Sequence, residues 1–355
     1  MTLDDPVPLL ASLVREPSVS GSEQRALAVL VDWLAARGVP SRVEGRNLVA
    51  EVGSGVRPTL LLQAHIDTVP ASPGWTRDPF GALVEGDRLF GLGAGDNKAS
   101  VAAMAAAFVA LRRDPPPGRA LFAATCDEES GGEGLEKLRP SLPPLDAAVV
   151  SEPTALGVAL AQRGLVRVTA RATGRAAHAS RPWQGINALR LALDDISRVL
   201  AIPFPREHPL LGRATLEPTL ISAGTASNVL PGECLFTFDG RPTPLHDNAE
   251  FEREIRAAIR NSRIELFVAR KPPVVMPADS AVARAFLSAS GHPDPVALGG
   301  VSDLFWVRDV PSVVFGPGDP PQSHTPDESV SLSATRRGAE VYLAAASSTL
   351  REIAR

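Results

Sequence analysis

The 355-residue chain is poor in sulfur ligands: its two cysteines, Cys126 and Cys234, lie outside any CxxC spacing. That excludes a disulfide framework and a zinc ribbon. Runs of lysine or arginine are absent, the lysines being Lys98, Lys137 and Lys271, and the formal net charge is −4. This argues against nucleic acid or an anionic membrane as the main partner. Long apolar runs are also absent. The longest, Val101 to Leu111, is too short to cross a bilayer and reads as a buried helix. The MTLDDPVP start has neither a basic n-region nor an apolar h-region, so no secretion signal is expected and the expected location is cytoplasmic. HExxH, the Walker sequence and the GxSxG serine elbow are missing too.

Hydrophobic residues at 44% and charged residues at 21% are close to the globular average, so a packed core is expected. The length suggests two domains, at about 150 residues each. Ser22 is placed to cap a helix with apolar positions Ala26, Leu27, Leu30, Val31 and Leu34, ending at Gly38. Apolar strands at 59–64, 120–125 and 147–150 alternate with a buried helix at 99–111. That is the α/β pattern of a sheet covered on both faces. From Leu165 the texture changes. Alternating strand 165–172, helix 187–200, strands 215–222 and 234–238, helix 249–259 and strand 264–268 spell the split-βαβ order of an inserted α+β domain. The proline-rich 271–277 segment reads as the return linker. Helix 280–288, strand 312–315 and helix 334–353 then complete the first sheet. The expected division is 1–164 with 275–355, and 165–274 inserted.

Chemistry-bearing residues collect at the predicted strand ends. His65-Ile66-Asp67 follows strand 59–64, where alternate residues project to one side, so His65 could bind a metal while Asp67 fixes its imidazole. Asp96 follows Gly91-Leu92-Gly93-Ala94-Gly95; by itself it reads as a helix cap after a flexible turn. Asp127-Glu128-Glu129 ends strand 120–125, where clustered carboxylates become cheap only around a cation. Glu152 and His324 repeat the placement. Two histidines and three carboxylates without thiolate suit Zn²⁺, Co²⁺ or Mn²⁺ in a catalytic site. Two such ions could share Asp96. A neighbouring glutamate is then left as general base, and metal-assisted hydrolysis is the reaction class that follows. Cys126, beside the acidic triplet, reads as a core cysteine. His208, His246 and His292 read as solvated loop residues.

Taken together, these motifs resemble the M20 family of metallo-peptidases and deacylases: His65 to Pro70, Gly93 to Lys98, Asp127 to Glu129, Ser151 to Thr154, and Gly316 to Glu328. The resemblance spans essentially the whole chain. It implies a zinc-exopeptidase-like catalytic domain, a mixed sheet between helices, carrying an inserted lid and dimerisation domain. It also implies roles. His65 would bind one metal, Asp96 would bridge both, Glu129 would lie on one metal and Glu152 on the other, and His324 would be the last ligand. Asp67 would orient His65 and Glu128 would be the general base. His178 would stabilise the oxyanion from the partner subunit of a homodimer, and Asn228 and Arg241 would hold the substrate carboxylate. Arg241 pairing with Asp239 is the plainer reading of that residue. The family usually has glycine where this chain has Ala99, which bears on local backbone packing.

Within the family, Val69 to Phe80 and Gly316 to Asp319 look most like acetylornithine and acetylcitrulline deacetylases, which implies arginine biosynthesis and an Nα-acetyl amino acid as substrate. Acyl-lysine hydrolases, succinyl-diaminopimelate desuccinylases and dipeptidases share the same metal residues. A metal-bound amino-acid-binding module is the non-enzymatic alternative.

Overall fold

The computed structural model describes residues 3–53 and 55–355; Met1, Thr2 and Ser54, at the start of the expected first domain and within it, lie outside the described residues. The chain divides into two units. One comprises Met1–Leu160, Met276–Leu298 and Ser302–Arg355; the other comprises Ala161–Val275 with Gly299–Val301.

In the first unit a mixed sheet runs in the order Ser41–Glu44, Asn47–Gly53, Arg119–Thr125, Thr59–His65, Ala147–Val150, Ser312–Val314 and then the strand Ala159–Gln162, of which Ala159 and Leu160 belong to this unit. Its four central strands are mutually parallel, and antiparallel strands flank them. Thr59–His65 and Ala147–Val150 are buried at every position, which is why they read as continuous apolar runs rather than as alternation. The helix Ala99–Arg113 is buried from Ala99 to Leu111, with Arg112 and Arg113 exposed at its end. Its alanine-rich sequence lets it pack closely on the long helix Leu332–Ile353 and on the sheet. Among the elements that escaped the sequence reading are the helix Val7–Arg15, the strands Ser41–Glu44 and Asn47–Gly53, the pair Leu83–Glu85 and Arg88–Phe90, the helix Glu133–Leu138 and the strand Ala159–Gln162. All are short or lie at the edge of the sheet, where the periodic signal is weak.

Ser22 is not a helix cap. The helix spans Gln24–Ala35 with Glu23 at its N-cap and no side-chain capping bond there. Among the described residues no helix is long and apolar enough to cross a membrane.

The second unit is a four-stranded antiparallel sheet in the order Thr215–Ala223, Glu233–Arg241, Leu165–Thr173, Ser262–Lys271. With the helices Ala188–Leu200 and Asn248–Ala258 in sequence between strands, this is the split-βαβ arrangement. The alternation of Leu165–Thr173 turns Val166, Val168, Ala170 and Ala172 toward Phe236, Phe238, Phe251 and Ile255. Asn187 and Asp247 cap the two helices with their side chains.

Candidate metal centre

The four parallel strands of the first unit deliver the acidic and histidine residues at their C-terminal ends, where open α/β sheets place their sites. His65 is the last residue of Thr59–His65. Asp127 to Glu129 follow Arg119–Thr125, Glu152 follows Ala147–Val150, and the segment carrying His324 leaves Ser312–Val314.

Asp96 lies at the centre. Its Oδ1 is 3.1 Å from His65 Nε2 and its Oδ2 is 3.6 Å from His324 Nε2. His324 Nε2 is in turn 2.9 Å from Glu129 Oε1. His65, Asp96 and Glu129 offer ligand atoms within 4.8 Å of one another, and so do His65, Glu128 and Glu152. Read by itself as a helix cap, Asp96 is not one: Lys98 occupies the N-cap of Ala99–Arg113, and no side chain caps that helix.

Backbone contacts hold this arrangement in place. Glu328, fully buried, accepts the N–H groups of Gly93 (2.9 Å), Gly95 (2.8 Å) and Asp96 (3.0 Å), so one carboxylate fixes the loop that presents Asp96. Gly93 has φ +74°, and a Cβ there would lie 2.4 Å from Thr68 Cγ2, so the turn requires glycine. Asn97 and Ser151 exchange hydrogen bonds at 2.6 and 2.8 Å, linking the Asp96 loop to the strand end before Glu152. Ala99 is an ordinary helical residue at φ −61°, ψ −40°, so alanine meets no backbone conflict where glycine is usual.

Asp67 joins two parts of the site. Its Oδ1 is 3.6 Å from His65 Nδ1, and its two oxygens accept the N–H groups of Glu128 (3.2 Å) and Glu129 (3.1 Å). The Ser20 hydroxyl donates to it at 2.6 Å. Burial by itself would raise Asp67, but His65, Ser20 and the Glu129 N–H hold it below the usual carboxylate range.

The electrostatics are those of a cation site. Burial opposes charge on His65, yet Asp67 and Asp96 push its pKa well above the ordinary imidazole range. Glu129 raises His324 to about 9. Glu152 is pushed well above the carboxylate range, first by burial and then by the charge of Glu128. Its Oε1 is buried without a hydrogen-bond partner. An orphaned carboxylate oxygen among carboxylates and imidazole nitrogens fits divalent cations that favour N/O ligands.

Three residues singled out in the sequence lie in the second unit. His178 is exposed, its Nδ1 2.8 Å from Ser180 Oγ, and it pairs through the backbone with Val229, next to the exposed Asn228. Arg241 is half-buried and donates to Asp239 at 2.6 Å, the plainer of its two readings. His246 departs from expectation. It is buried, bonded to Arg206 at 2.8 Å and packed edge-on against Phe204, because Thr243 and His246 close a tight backbone bridge that turns the ring inward. Cys126 is a core cysteine, its thiol pushed up to about 12 by burial and then by Asp127.

Ser20, Glu23, Arg46 and Glu328 are the supporting residues that sequence reasoning missed. Glu328 stood inside a motif already singled out. The others are signalled only by being polar near the ends of apolar segments.

Residues 61–348 match the model of peptidase family M20/M25/M40. The chain is 30% identical over 369 residues to a succinyl-diaminopimelate desuccinylase of Caulobacter sp. (strain K31), covering 96% of this chain and 95% of that protein. It is 29% identical over 357 residues to an acetylornithine deacetylase of Edwardsiella ictaluri (strain 93-146), covering 92% of each. Its fold matches a tripeptidase from Staphylococcus aureus subsp. aureus Mu50 with a TM-score of 0.82 at 21% identity, covering 100% of both chains.

Proposed function

The chain belongs to peptidase family M20/M25/M40 and is a metal-dependent hydrolase of that family, and from this premise we propose that it cleaves the amide bond of an N-acylated amino acid. The observation that carries the reading is Asp96, whose two oxygens face His65 and His324 separately while Glu128 stands beside the same cluster. Two cations are proposed, Zn²⁺ first, with Co²⁺ or Mn²⁺ as alternatives. His65 and Glu152 would hold one, Glu129 and His324 the other, and Asp96 both. When bound, they supply a Lewis acid for the amide carbonyl and lower the pKa of the attacking water.

The side chains account for the proton movements. Glu128 takes a proton from water as its oxygen attacks the carbonyl carbon, then passes it to the nitrogen as the C–N bond breaks. The second proton, left on the new carboxyl group, passes to the amine, so the products are a carboxylate and an ammonium group. Asp67 keeps His65 oriented and ties the backbone of Glu128 and Glu129 to it. His178 is proposed as the oxyanion donor from the partner subunit of a homodimer. Asn228 and Arg241 are proposed to bind the substrate carboxylate, Arg241 exchanging Asp239 for it. The homodimer reading draws on the edge strand Thr215–Ala223, almost wholly exposed, where Leu220 and Ile221 retain 68% and 53% of their surface. An apolar edge strand is a template for pairing with another chain.

The acyl group is the finer question. Acetylornithine follows from the motif resemblance, and succinyl-diaminopimelate from the relative of strain K31. The experiment is free-amine release by Zn²⁺- or Co²⁺-loaded protein, with a chelated control. Its panel holds Nα-acetyl-ornithine, Nα-acetyl-citrulline, acetyl-lysine, succinyl-diaminopimelate and dipeptides. Chelator-sensitive release from one acylated amino acid is expected. Faster cleavage of dipeptides would replace the deacylase reading by a peptidase, and no release from metal-loaded protein would leave a binding module.

A further inference from the structure

Behind the loop Cys126 to Gly132 lies a charged cluster that the proposed reaction does not use. Glu23, fully buried at the start of its helix, accepts Arg46 Nη1 on both oxygens at 2.8 and 2.7 Å and the Gly21 N–H at 2.8 Å. The other guanidinium nitrogen, Arg46 Nη2, donates to Asp127 Oδ2. Asp127 has φ +57°, a left-handed conformation costly for a residue with a Cβ, and it immediately precedes Glu128. Next to Arg46, Asn47 Oδ1 accepts the Cys126 N–H at 3.0 Å, and Asn47 Nδ2 donates to the Gly134 carbonyl at 3.2 Å.

Glu23, Cys126 and Asp127 together have the composition of a metal site, but the Arg46 guanidinium already joins the two acids. The cluster is therefore a clamp. The loop is gripped on one side by Arg46 and Asn47, and on the other by Asp67, which holds the Glu128 and Glu129 N–H groups.

We propose that Arg46, backed by the buried Glu23, is a positioning residue: by pinning Asp127 in its left-handed conformation it aims Glu128, and with it Glu129, into the centre. The inference rests on the reading of Glu128 as general base. Arginine suits the position because its rigid planar fork gives one nitrogen to Glu23 and the other to Asp127, whereas a lysine presents a single nitrogen on a flexible stem. A cavity of about 360 Å³ lined by Arg46, Asn47, Cys126, Asp127 and Lys137 opens beside the clamp, with room for a free guanidinium ion when the side chain is removed.

The experiment compares wild type with Arg46→Ala, with and without millimolar guanidinium, by amide hydrogen exchange and by kinetics on the substrate that the panel identifies. Exchange at the Glu128 and Glu129 amides is expected to quicken about tenfold or more, while the strand Thr59–His65 keeps its protection. The kcat is expected to fall about tenfold to a hundredfold, the cost of misplacing a catalytic group, with KM within about twofold and metal content unchanged. Guanidinium restores part of both effects. Asp127→Asn lowers kcat similarly, and adding Arg46→Ala to it costs little more, since both act through one contact. Unchanged exchange at those two amides overturns the proposal, as does a uniform loss of protection that guanidinium does not repair. A wild-type protein silent on the whole panel, with the local exchange response present, sinks the deacylase reading and leaves the clamp standing.

Discussion

At the scale of single residues, two neighbouring glutamates are turned toward different partners. Glu128 and Glu129 are adjacent in sequence, and Asp67 holds both backbones. Yet Glu129 faces His324, whereas Glu128 shares its cluster with His65 and Glu152. Glu128→Gln removes the proton acceptor and preserves shape. It is expected to retain both metals by elemental analysis while losing roughly 10²–10⁴-fold in kcat. Wild-type turnover in that variant would remove Glu128 as the base.

At the scale of elements, helices are tied to neighbouring turns by buried side chains rather than by propensity alone. Asp195, on the helix Ala188–Leu200, accepts the N–H groups of Arg260 at 2.9 Å and Asn261 at 3.1 Å just before the strand Ser262–Lys271, and it pairs with Arg198. Asp195→Ala leaves those donors unmatched and is expected to cost about 1–3 kcal/mol, read as a lower urea midpoint for the second unit. Metal content should be untouched, because Asp195 and the candidate ligands belong to different units. A loss of metal in this variant would contradict that separation.

At the scale of the whole molecule, stability and assembly are the testable properties. Asp4 is held below the usual carboxylate range chiefly by Arg113, and Asp146 chiefly by Arg57. Burial opposes the charge on Asp195, but its hydrogen bonds bring it below that range as well. Depressed native carboxylates mean that the unfolded chain takes up protons first. Their stabilisation is therefore complete above the unfolded carboxylate pKa, about 3.9, and is lost as pH falls through the native values. With metal chelated, the urea midpoint should fall between about pH 5 and pH 3, and less steeply in the Asp4→Asn/Asp146→Asn double variant than in wild type. An equally steep fall in the double variant would reject this. For assembly, sedimentation should give a dimer, and Ile221→Asp should shift it to monomer by placing a charge on the exposed edge strand. Should the monomer keep full activity, His178 does not act across subunits.

Local properties were readable along the chain. Helix and strand periods, the composition of a metal-ligating set and the change of texture at Leu165 each depend on residues within a few positions of one another, and most long elements match their sequence boundaries within two residues. The family resemblance adds the expectation that five separated motifs meet. What remained hidden depends on distant residues. Asp96 reads locally as a cap, and only the approach of His65 and His324 gives its two oxygens separate partners. Ser20, Glu23 and Arg46 look like ordinary loop polarity until folding brings them within hydrogen-bond reach of residues 23 to 81 positions away. His246 reads as solvated because nothing near it in sequence says that Phe204 will cover it. Hydrophobic pattern decides which faces are buried, and it is encoded residue by residue. Hydrogen-bond partnership is decided by which chain ends the sheet order brings together, and no short stretch of sequence contains that order.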